Sequence, residues 1–102
     1  MTVPPSVVRH VVIRGRVQRV GYRAWTEHKA LARGLEGWVR NRRDGTVEAV
    51  FVGTPEAVAA MVEACRNGPP GAHVEAVEQS EPPAKDIALR RPGELFSVLP
   101  TV

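Results

Sequence analysis

The chain has 102 residues, of which 43% are hydrophobic and 25% are charged. This is enough for one compact core, and it excludes a disordered, collagen-like or low-complexity protein. The single cysteine, Cys65, excludes an internal disulfide and a thiolate-rich zinc site, and it favours the reducing cytoplasm. No signal peptide or membrane-spanning stretch is recognisable. We therefore expect a monomeric cytoplasmic protein with one domain over residues 1–102, frayed ends at 1–6 and 100–102, and no membrane partner.

Positive charge is concentrated in the first half of the chain. Between residues 7 and 44, ten Lys and Arg residues stand against three acidic residues, so this stretch carries a charge of about +7 and the remainder about −4. A basic half of this kind favours an anionic partner. Nucleic acid and a small phosphate ester or anhydride both fit that description, and composition leaves the choice between them open.

The first third of the chain predicts a strand, a loop and a helix. Residues 7–13 are mostly β-branched and alternate as in a strand, and residues 15–21 form a run bracketed by glycines that predicts a loop. Residues 22–33 are rich in helix formers, and Gly34 follows as the residue that closes a helix. The residues expected to face inward from this helix are Tyr22, Trp25, Ala30 and Ala32.

A β-hairpin and a second helix follow. Residues 35–40 and 46–52 are two strand-like runs, and the turn between them at 41–45 contains Asp-Gly, a strong hairpin signal. The start of the second helix is predicted by Thr54 as the N-cap, Pro55 in the first helical position and Glu56 as an acidic residue in the first turn. The helix then presents apolar residues at i, i+3, i+4 and i+7, and it stops at the Gly- and Pro-rich residues 67–71. The apolar positions are Val58, Met61, Val62 and Cys65.

The last third of the chain adds strands. Residues 72–77 alternate His73 and Glu75 with Val74 and Ala76, as in a half-exposed strand, residues 78–94 are polar without a period, and residues 95–99 form a short apolar run typical of an edge strand. The order is βαββαβ with an extra terminal strand. It predicts an α+β, ferredoxin-like fold in which two helices pack on one face of an antiparallel sheet.

The first loop and the start of the first helix carry the most informative chemistry. A glycine-bracketed loop that enters a helix can present successive backbone N–H groups to an anion, and the helix N-terminus adds partial positive charge. Arg23, in the first turn, can close on the same anion with a bidentate guanidinium, although a cation there opposes the helix dipole. Such a local conflict is typical of a functional site. On spacing alone, an ordinary loop with a solvated arginine is still the commoner explanation.

Two segments resemble the signature segments of the acylphosphatase family. The first is GRVQRVGYR at residues 15–23, and the second is GWVRNRRDGTVE at residues 37–48, with Gly53 after it. The similarity covers roughly residues 8–78 and includes CRNGPP at 65–70. It implies the ferredoxin-like fold of that family and hydrolysis of the mixed anhydride of acyl phosphates to a carboxylate and inorganic phosphate. It also implies that no metal or other cofactor takes part.

The resemblance further implies roles for individual residues. Arg23 matches the substrate-binding arginine of the family, and Asn41, which by itself would pass for a turn residue, matches the asparagine that positions the attacking water. The leaving carboxylate has a conjugate acid with a pKa near about 4, so charge stabilisation and water placement can carry most of the rate. The proton of the water is expected to pass to a phosphoryl oxygen of the substrate. The loop residues implied to hold the phosphoryl group are Gly15, Arg16, Val17, Gln18, Arg19, Val20, Gly21 and Tyr22.

Arg19 departs from the family pattern, which more commonly has glycine at that position. If the position requires a positive φ, arginine there costs about 1 kcal/mol. We expect the Arg19 side chain to point outward and to enrich the approach path for anions.

The remaining candidate residues are interpreted as structural. His10, His28 and His73 share no spacing with a nucleophile or an acid, and Cys65 lies on the apolar face of the second helix.

Two alternatives to an acylphosphatase stay open. An RNA-recognition module has the same βαββαβ order, but its sheet needs exposed aromatic residues, whereas the first strand has none and the third has only Phe51. The second alternative is a carbamoyl-phosphate-handling domain like the one that begins hydrogenase-maturation carbamoyltransferases, but no zinc-binding cysteines follow. We therefore expect a free-standing enzyme that binds an acyl phosphate as substrate and inorganic phosphate as product and competitive inhibitor. We expect no nucleic-acid partner.

Overall fold

The computed structural model describes residues 6–102. Four strands and two long helices confirm the predicted order βαββαβ, whereas residues 1–5, part of the end expected to fray, lie outside the described residues. The elements are β1 (Val7–Arg16), α1 (Tyr22–Ala32), β2 (Glu36–Asn41), β3 (Val47–Gly53), α2 (Pro55–Cys65), β4 (His73–Ser80), α3 (Ala84–Ile87) and β5 (Phe96–Val98). No helix within residues 6–102 has the length and apolar character needed to cross a membrane.

The five strands form one sheet in the order β4-β1-β3-β2-β5. β1 pairs antiparallel with β3 and β4, and β2 pairs antiparallel with β3. The expectation of a wholly antiparallel sheet is wrong at one edge, because β5 pairs parallel with β2. Parallel neighbours need a long connection, and the chain between β2 and β5 supplies one. The fold is therefore α+β and ferredoxin-like, with a mixed sheet.

α1 and α2 pack on the same face of the sheet and enclose the main core. The apolar face predicted for α2 is confirmed, since Val58, Met61, Val62 and Cys65 are all buried. Its start is confirmed as well, because Thr54 Oγ1 accepts a hydrogen bond from the Ala57 N–H at 3.2 Å.

The buried face of α1 differs in part from the prediction. Tyr22 and Ala30 are buried and Trp25 packs against the core, but Ala32 is exposed and Thr26 is buried. Tyr22, Thr26 and Ala30 follow one another at four-residue spacing, so Ala32 falls on the opposite side of the helix. Burial of Thr26 is possible because its hydroxyl donates to the Tyr22 carbonyl at 2.8 Å.

β4 is longer than predicted and changes phase at Glu75. Its pairing with β1 shifts register between Arg14 and Gly15, which leaves Glu75 outside the ladder as a bulge. The predicted alternation is therefore wrong after Val74: the next residue that packs against the core is Val77, and Ala76 is exposed. The bulge requires glycine at position 15, because a Cβ there would lie 2.3 Å from the His73 carbonyl oxygen.

The face of the sheet opposite the helices carries a smaller apolar cluster around Trp38, Val50 and Leu99. Trp38 Nε1 donates to the Asp86 carbonyl at 2.6 Å. This bond attaches α3 to the sheet, within a stretch that was predicted to lack periodic structure.

The end at residues 100–102, which was expected to fray, is exposed but hydrogen-bonded to the hairpin. The Val102 N–H donates to the Asn41 carbonyl at 3.2 Å, and the Val102 carbonyl accepts from the Arg43 N–H at 2.7 Å.

Candidate active site

The loop between β1 and α1 is shorter than predicted. Gly15 and Arg16 are the last residues of β1, so the loop itself is residues 17–21. Gly21 precedes α1 in a left-handed conformation, with φ 78°, and no side chain caps the helix. The first N–H groups of a helix have no partner within the helix. The start of α1 therefore offers unpaired donors and the positive end of a helix dipole.

A cavity of about 330 Å³ opens between this loop and the end of β2. It brings together Arg23 on α1 and Asn41 on β2, which the sequence analysis assigned to one site. Of the predicted loop residues, Val17, Gln18, Arg19, Gly21 and Tyr22 line the cavity, whereas Gly15, Arg16 and Val20 do not.

Three lining residues were missed by the sequence analysis: Ala24, Glu27 and Val98. Glu27 lies one turn beyond Arg23 on the same side of α1, so the four-residue spacing was a signal that could have found it. Val98 lies on β5 beside Val39 of β2. No local pattern reveals that pairing, because the two residues are far apart in the sequence.

Strand alternation explains why Asn41 faces the loop. Val39 is buried in the core beneath the helices, and Asn41, two residues later, lies on the same face of β2 opposite Val47 of β3. As the last residue of β2, Asn41 sits where the core ends and the cavity begins.

The hairpin turn after Asn41 is held by a compact set of hydrogen bonds. The Arg42 N–H donates to the Thr46 carbonyl at 2.9 Å, and Asp44 Oδ1 accepts from both the N–H and the hydroxyl of Thr46, at 2.9 and 2.6 Å. Those two bonds from Thr46 hold the pKa of Asp44 below its usual value. The predicted Asp-Gly turn is confirmed, with φ 94° at Gly45.

Gln18 joins the loop to this hairpin. Its side-chain nitrogen Nε2 donates to the Arg42 carbonyl at 2.7 Å and to the Thr46 carbonyl at 2.9 Å. The sequence analysis placed Gln18 in the loop but had no signal for this contact, because the two acceptors are backbone atoms of another element.

Two arginines give the cavity positive charge. Arg23 is half-buried and Arg19 is exposed. Within residues 6–102, neither guanidinium forms a salt bridge with an acidic side chain. Both cations are therefore available to an anion.

Arg19 has the backbone conformation that the sequence analysis considered, with φ 62°. This is the left-handed region, in which the Cβ of an ordinary residue is strained. The outward direction expected for its side chain remains a prediction, since Arg19 is both exposed and among the residues that line the cavity.

Tyr22 and Cys65 form a contact behind the cavity. The Tyr22 hydroxyl donates to the Cys65 carbonyl at 2.6 Å. Burial raises the pKa of the Tyr22 hydroxyl above its usual range and raises the pKa of the Cys65 thiol to about 12. Both side chains are thus neutral near pH 7, as the structural interpretation of Cys65 predicts.

The histidines lie away from the cavity, and none of them lines it. His10 is on the opposite face of the sheet, where its Nε2 is 2.7 Å from Glu48 Oε2. Arg40 Nε donates to the other oxygen of the nearly buried Glu48 at 2.8 Å. Burial opposes ionisation of this carboxyl, but the hydrogen bonds and positive charges of His10 and Arg40 outweigh it and hold the pKa of Glu48 below its usual value. The sequence analysis missed this cluster.

Comparisons with known proteins agree with the fold. A family model described as Acylphosphatase matches residues 9–89. An acylphosphatase of Bradyrhizobium diazoefficiens is 61% identical over 95 residues, which cover 93% of this chain and 96% of that protein. The crystal structure of acylphosphatase from Bacillus subtilis is 34% identical and has a TM-score of 0.77, and the match covers 90% of this chain and 97% of that one.

A larger protein shares the fold. The structure of full-length HypF in a phosphate- and nucleotide-bound form has a TM-score of 0.80 at 22% identity, and the match covers 98% of this chain but only 13% of that one. At this identity the likeness concerns the fold alone. The relatives that match almost from end to end are acylphosphatases, and the family model spans most of the chain. This chain belongs to the acylphosphatase family.

Proposed function

We propose that the cavity between the loop and Asn41 is where this enzyme hydrolyses the carboxyl–phosphate anhydride of acyl phosphates, with the phosphoryl group held by Arg23 and the loop and the water positioned by Asn41. The observation that carries the proposal is that Arg23, the loop and Asn41 line one cavity, although they belong to three different elements. Neither alternative, a carbamoyl-phosphate-handling domain or an RNA-recognition module, is favoured, because the relatives of similar length are acylphosphatases.

Charge and unpaired donors support binding of the phosphoryl group at the start of α1. The Arg23 guanidinium forms no salt bridge within residues 6–102 and can bind two phosphoryl oxygens at once. The start of α1 has no side-chain cap and lines the same cavity, so its N–H groups add partial positive charge there. Together they stabilise the charge that the phosphoryl oxygens carry in the transition state.

The reaction needs no side chain that changes its protonation state. The Asn41 amide holds a water so that its oxygen attacks phosphorus opposite the acyl oxygen. The bond from phosphorus to the acyl oxygen breaks, and its electron pair leaves with the carboxylate. Because the conjugate acid of that carboxylate has a pKa of about 4, no general acid is required. The proton of the water passes to a phosphoryl oxygen, which yields inorganic phosphate.

The remaining surface of the cavity suits the organic part of the substrate. Ala24 and Val98 offer apolar contact beside Arg23, and phosphate, the product, competes for the loop. We further propose that the enzyme acts as a monomer in the cytoplasm. The cavity is lined from within one chain, so one copy contains all the proposed site residues, and the buried free thiol of Cys65 suits a reducing compartment.

The test separates the roles of Arg23 and Asn41 with benzoyl phosphate as substrate and inorganic phosphate as inhibitor. Arg23→Gln should raise the phosphate inhibition constant about tenfold or more and abolish turnover, since it removes a charge used in both states. Asn41→Ala should lower kcat by about a hundred-fold or more and leave the phosphate inhibition constant within about threefold of wild type.

Matched controls use the same substitutions at exposed positions after α2: Arg66→Gln and Asn67→Ala. Both should keep wild-type kcat and phosphate inhibition. If Asn41→Ala weakens phosphate as severely as Arg23→Gln does, with the fold verified by circular dichroism, Asn41 binds phosphate or shapes the turn, and the water-positioning role is wrong.

A further inference from the structure

The side-chain nitrogen of Gln18 is bound to the hairpin, although the residue lines the cavity. Both acceptors of its Nε2, the carbonyl oxygens of Arg42 and Thr46, can only accept. The two N–H groups of the amide nitrogen are therefore the only part of a glutamine that fits between them. With both donors used in this way, the nitrogen has none left for a phosphoryl oxygen.

Gln18 contacts the two residues between which the hairpin turn closes, Arg42 and Thr46. Arg42 directly follows Asn41, and the Thr46 carbonyl that accepts from Gln18 also accepts from the Arg42 N–H at 2.9 Å. Within residues 6–102, no other side-chain hydrogen bond joins the loop at 17–21 to the turn at 42–46. This bridge ends one residue from Asn41.

The bridge matters because the proposed site is built from two parts. The loop and Arg23 hold the phosphoryl group, while Asn41 on β2 holds the water. In-line attack requires the two parts to keep their spacing to within about half an ångström, and a displacement of about 1 Å can cost a hundred-fold in rate.

We propose that Gln18 is a positioning residue, which sets the distance between the phosphate-binding loop and Asn41 by holding the carbonyls of Arg42 and Thr46. This inference rests on the proposed function. In this proposal the backbone amides of the loop bind the phosphoryl group, whereas the side chain of Gln18 positions the hairpin. Loss of that side chain should therefore lower kcat rather than the affinity for phosphate.

The first test is Gln18→Met, which keeps the length of the side chain and removes both donors. The chain contains one other glutamine, Gln79, which is exposed on β4, so Gln79→Met is a matched control. We expect Gln18→Met to lower kcat by about ten- to a hundred-fold, with the phosphate inhibition constant within about threefold of wild type. Gln79→Met should match wild type in both. An unchanged kcat in Gln18→Met, or a phosphate affinity that falls as far as kcat does, would overturn the proposal.

A double-mutant cycle asks whether Gln18 acts through Asn41. If it does, adding Gln18→Met to Asn41→Ala should lower kcat by less than about threefold further, because the water is already unplaced. If Gln18→Met lowers kcat as much in the Asn41→Ala background as it does in wild type, Gln18 acts elsewhere and the inference fails. If Asn41→Ala alone keeps wild-type kcat, the water-positioning role in the proposed function fails instead, so the two failures are distinguishable.

The pH dependence of kcat in a second variant, Gln18→Glu, tests the need for a hydrogen-bond donor. A purely structural role of Gln18 would not change this dependence. In Gln18→Glu, the ionised carboxylate has no donor for the two carbonyls, whereas the protonated acid has one. We expect kcat of Gln18→Glu to be low at pH 7 and to rise as the pH falls towards 5, while wild-type kcat stays nearly level. A low kcat that does not respond to pH would contradict the need for a donor at this position.

Discussion

Tyr22 donates its hydroxyl to the main-chain carbonyl of Cys65 at 2.6 Å, so the first residue of α1 is fastened to the last residue of α2. The last carbonyls of a helix have no partner within the helix, and the hydroxyl of the buried Tyr22 supplies one here. Tyr22 also lines the cavity and precedes Arg23. The contact therefore holds α1 against α2 at the residue beside Arg23, next to the proposed phosphate site.

The variant Tyr22→Phe should lower the free energy of unfolding by about 1–3 kcal/mol, because the Cys65 carbonyl is left buried without a partner. Tm should fall by several degrees in a thermal melt followed by circular dichroism. Since the ring still fills its place in the core, kcat at 25 °C should stay within about threefold of wild type. A Tm equal to that of wild type would show that water replaces the hydroxyl at no cost.

Arg19 combines a strained backbone with a free charge, and three substitutions separate the two. Arg19→Gly relieves the left-handed strain and should raise stability by about 1 kcal/mol, whereas Arg19→Lys keeps both strain and charge. Arg19→Asn removes the charge and tolerates the same φ.

If Arg19 only attracts anions, Arg19→Gly and Arg19→Asn should leave kcat within a few-fold of wild type. Both should weaken the dependence of kcat/KM on ionic strength, and Arg19→Lys should preserve it. A hundred-fold loss of kcat in both uncharged variants would place Arg19 in the catalytic machinery.

The pH profile of kcat should be nearly flat between pH 5 and 8. The proposed mechanism transfers no proton to or from a protein side chain, and no histidine lines the cavity. The measurement is kcat with benzoyl phosphate in buffers of constant ionic strength. A sharp bell centred near neutrality would reveal a titrating base.

Turnover should be undiminished in a chelator. Within residues 6–102, no group of three or more His, Cys, Asp or Glu residues is placed to hold a metal ion. Hydrolysis of acetyl and benzoyl phosphate is measured with and without the chelator, and then with added Mg²⁺. Strict dependence on Mg²⁺ would contradict the proposed mechanism.

Stability should fall in acid in part because of Glu48. Its pKa in the folded protein lies below the ordinary value of 4.5, so its contribution is fully present above about pH 4.5 and is lost as the pH falls through the lowered pKa. Glu48→Gln should be less stable than wild type in urea at pH 7, and the difference should shrink by pH 3. Glu81→Gln, at an exposed position, is the control and should follow wild type at both pH values.

Local patterns in the sequence determined most of the fold. The apolar spacing and the N-cap of α2, the glycine after α1 and the Asp-Gly turn each depend on neighbouring residues, and the structure has all of them. The residues of the candidate site were predicted from the resemblance to the acylphosphatase family, because the glycine-bracketed loop, Arg23 and Asn41 lie in its two signature segments.

Only the tertiary structure decided how these segments meet. β5 pairs parallel with β2, the bulge at Glu75 turns β4, and Gln18 reaches the carbonyls of Arg42 and Thr46. Each of these contacts joins residues distant in sequence, often through backbone atoms that every residue type shares. Local patterns of side chains therefore do not predict these contacts, which form only when the distant segments meet in the folded chain.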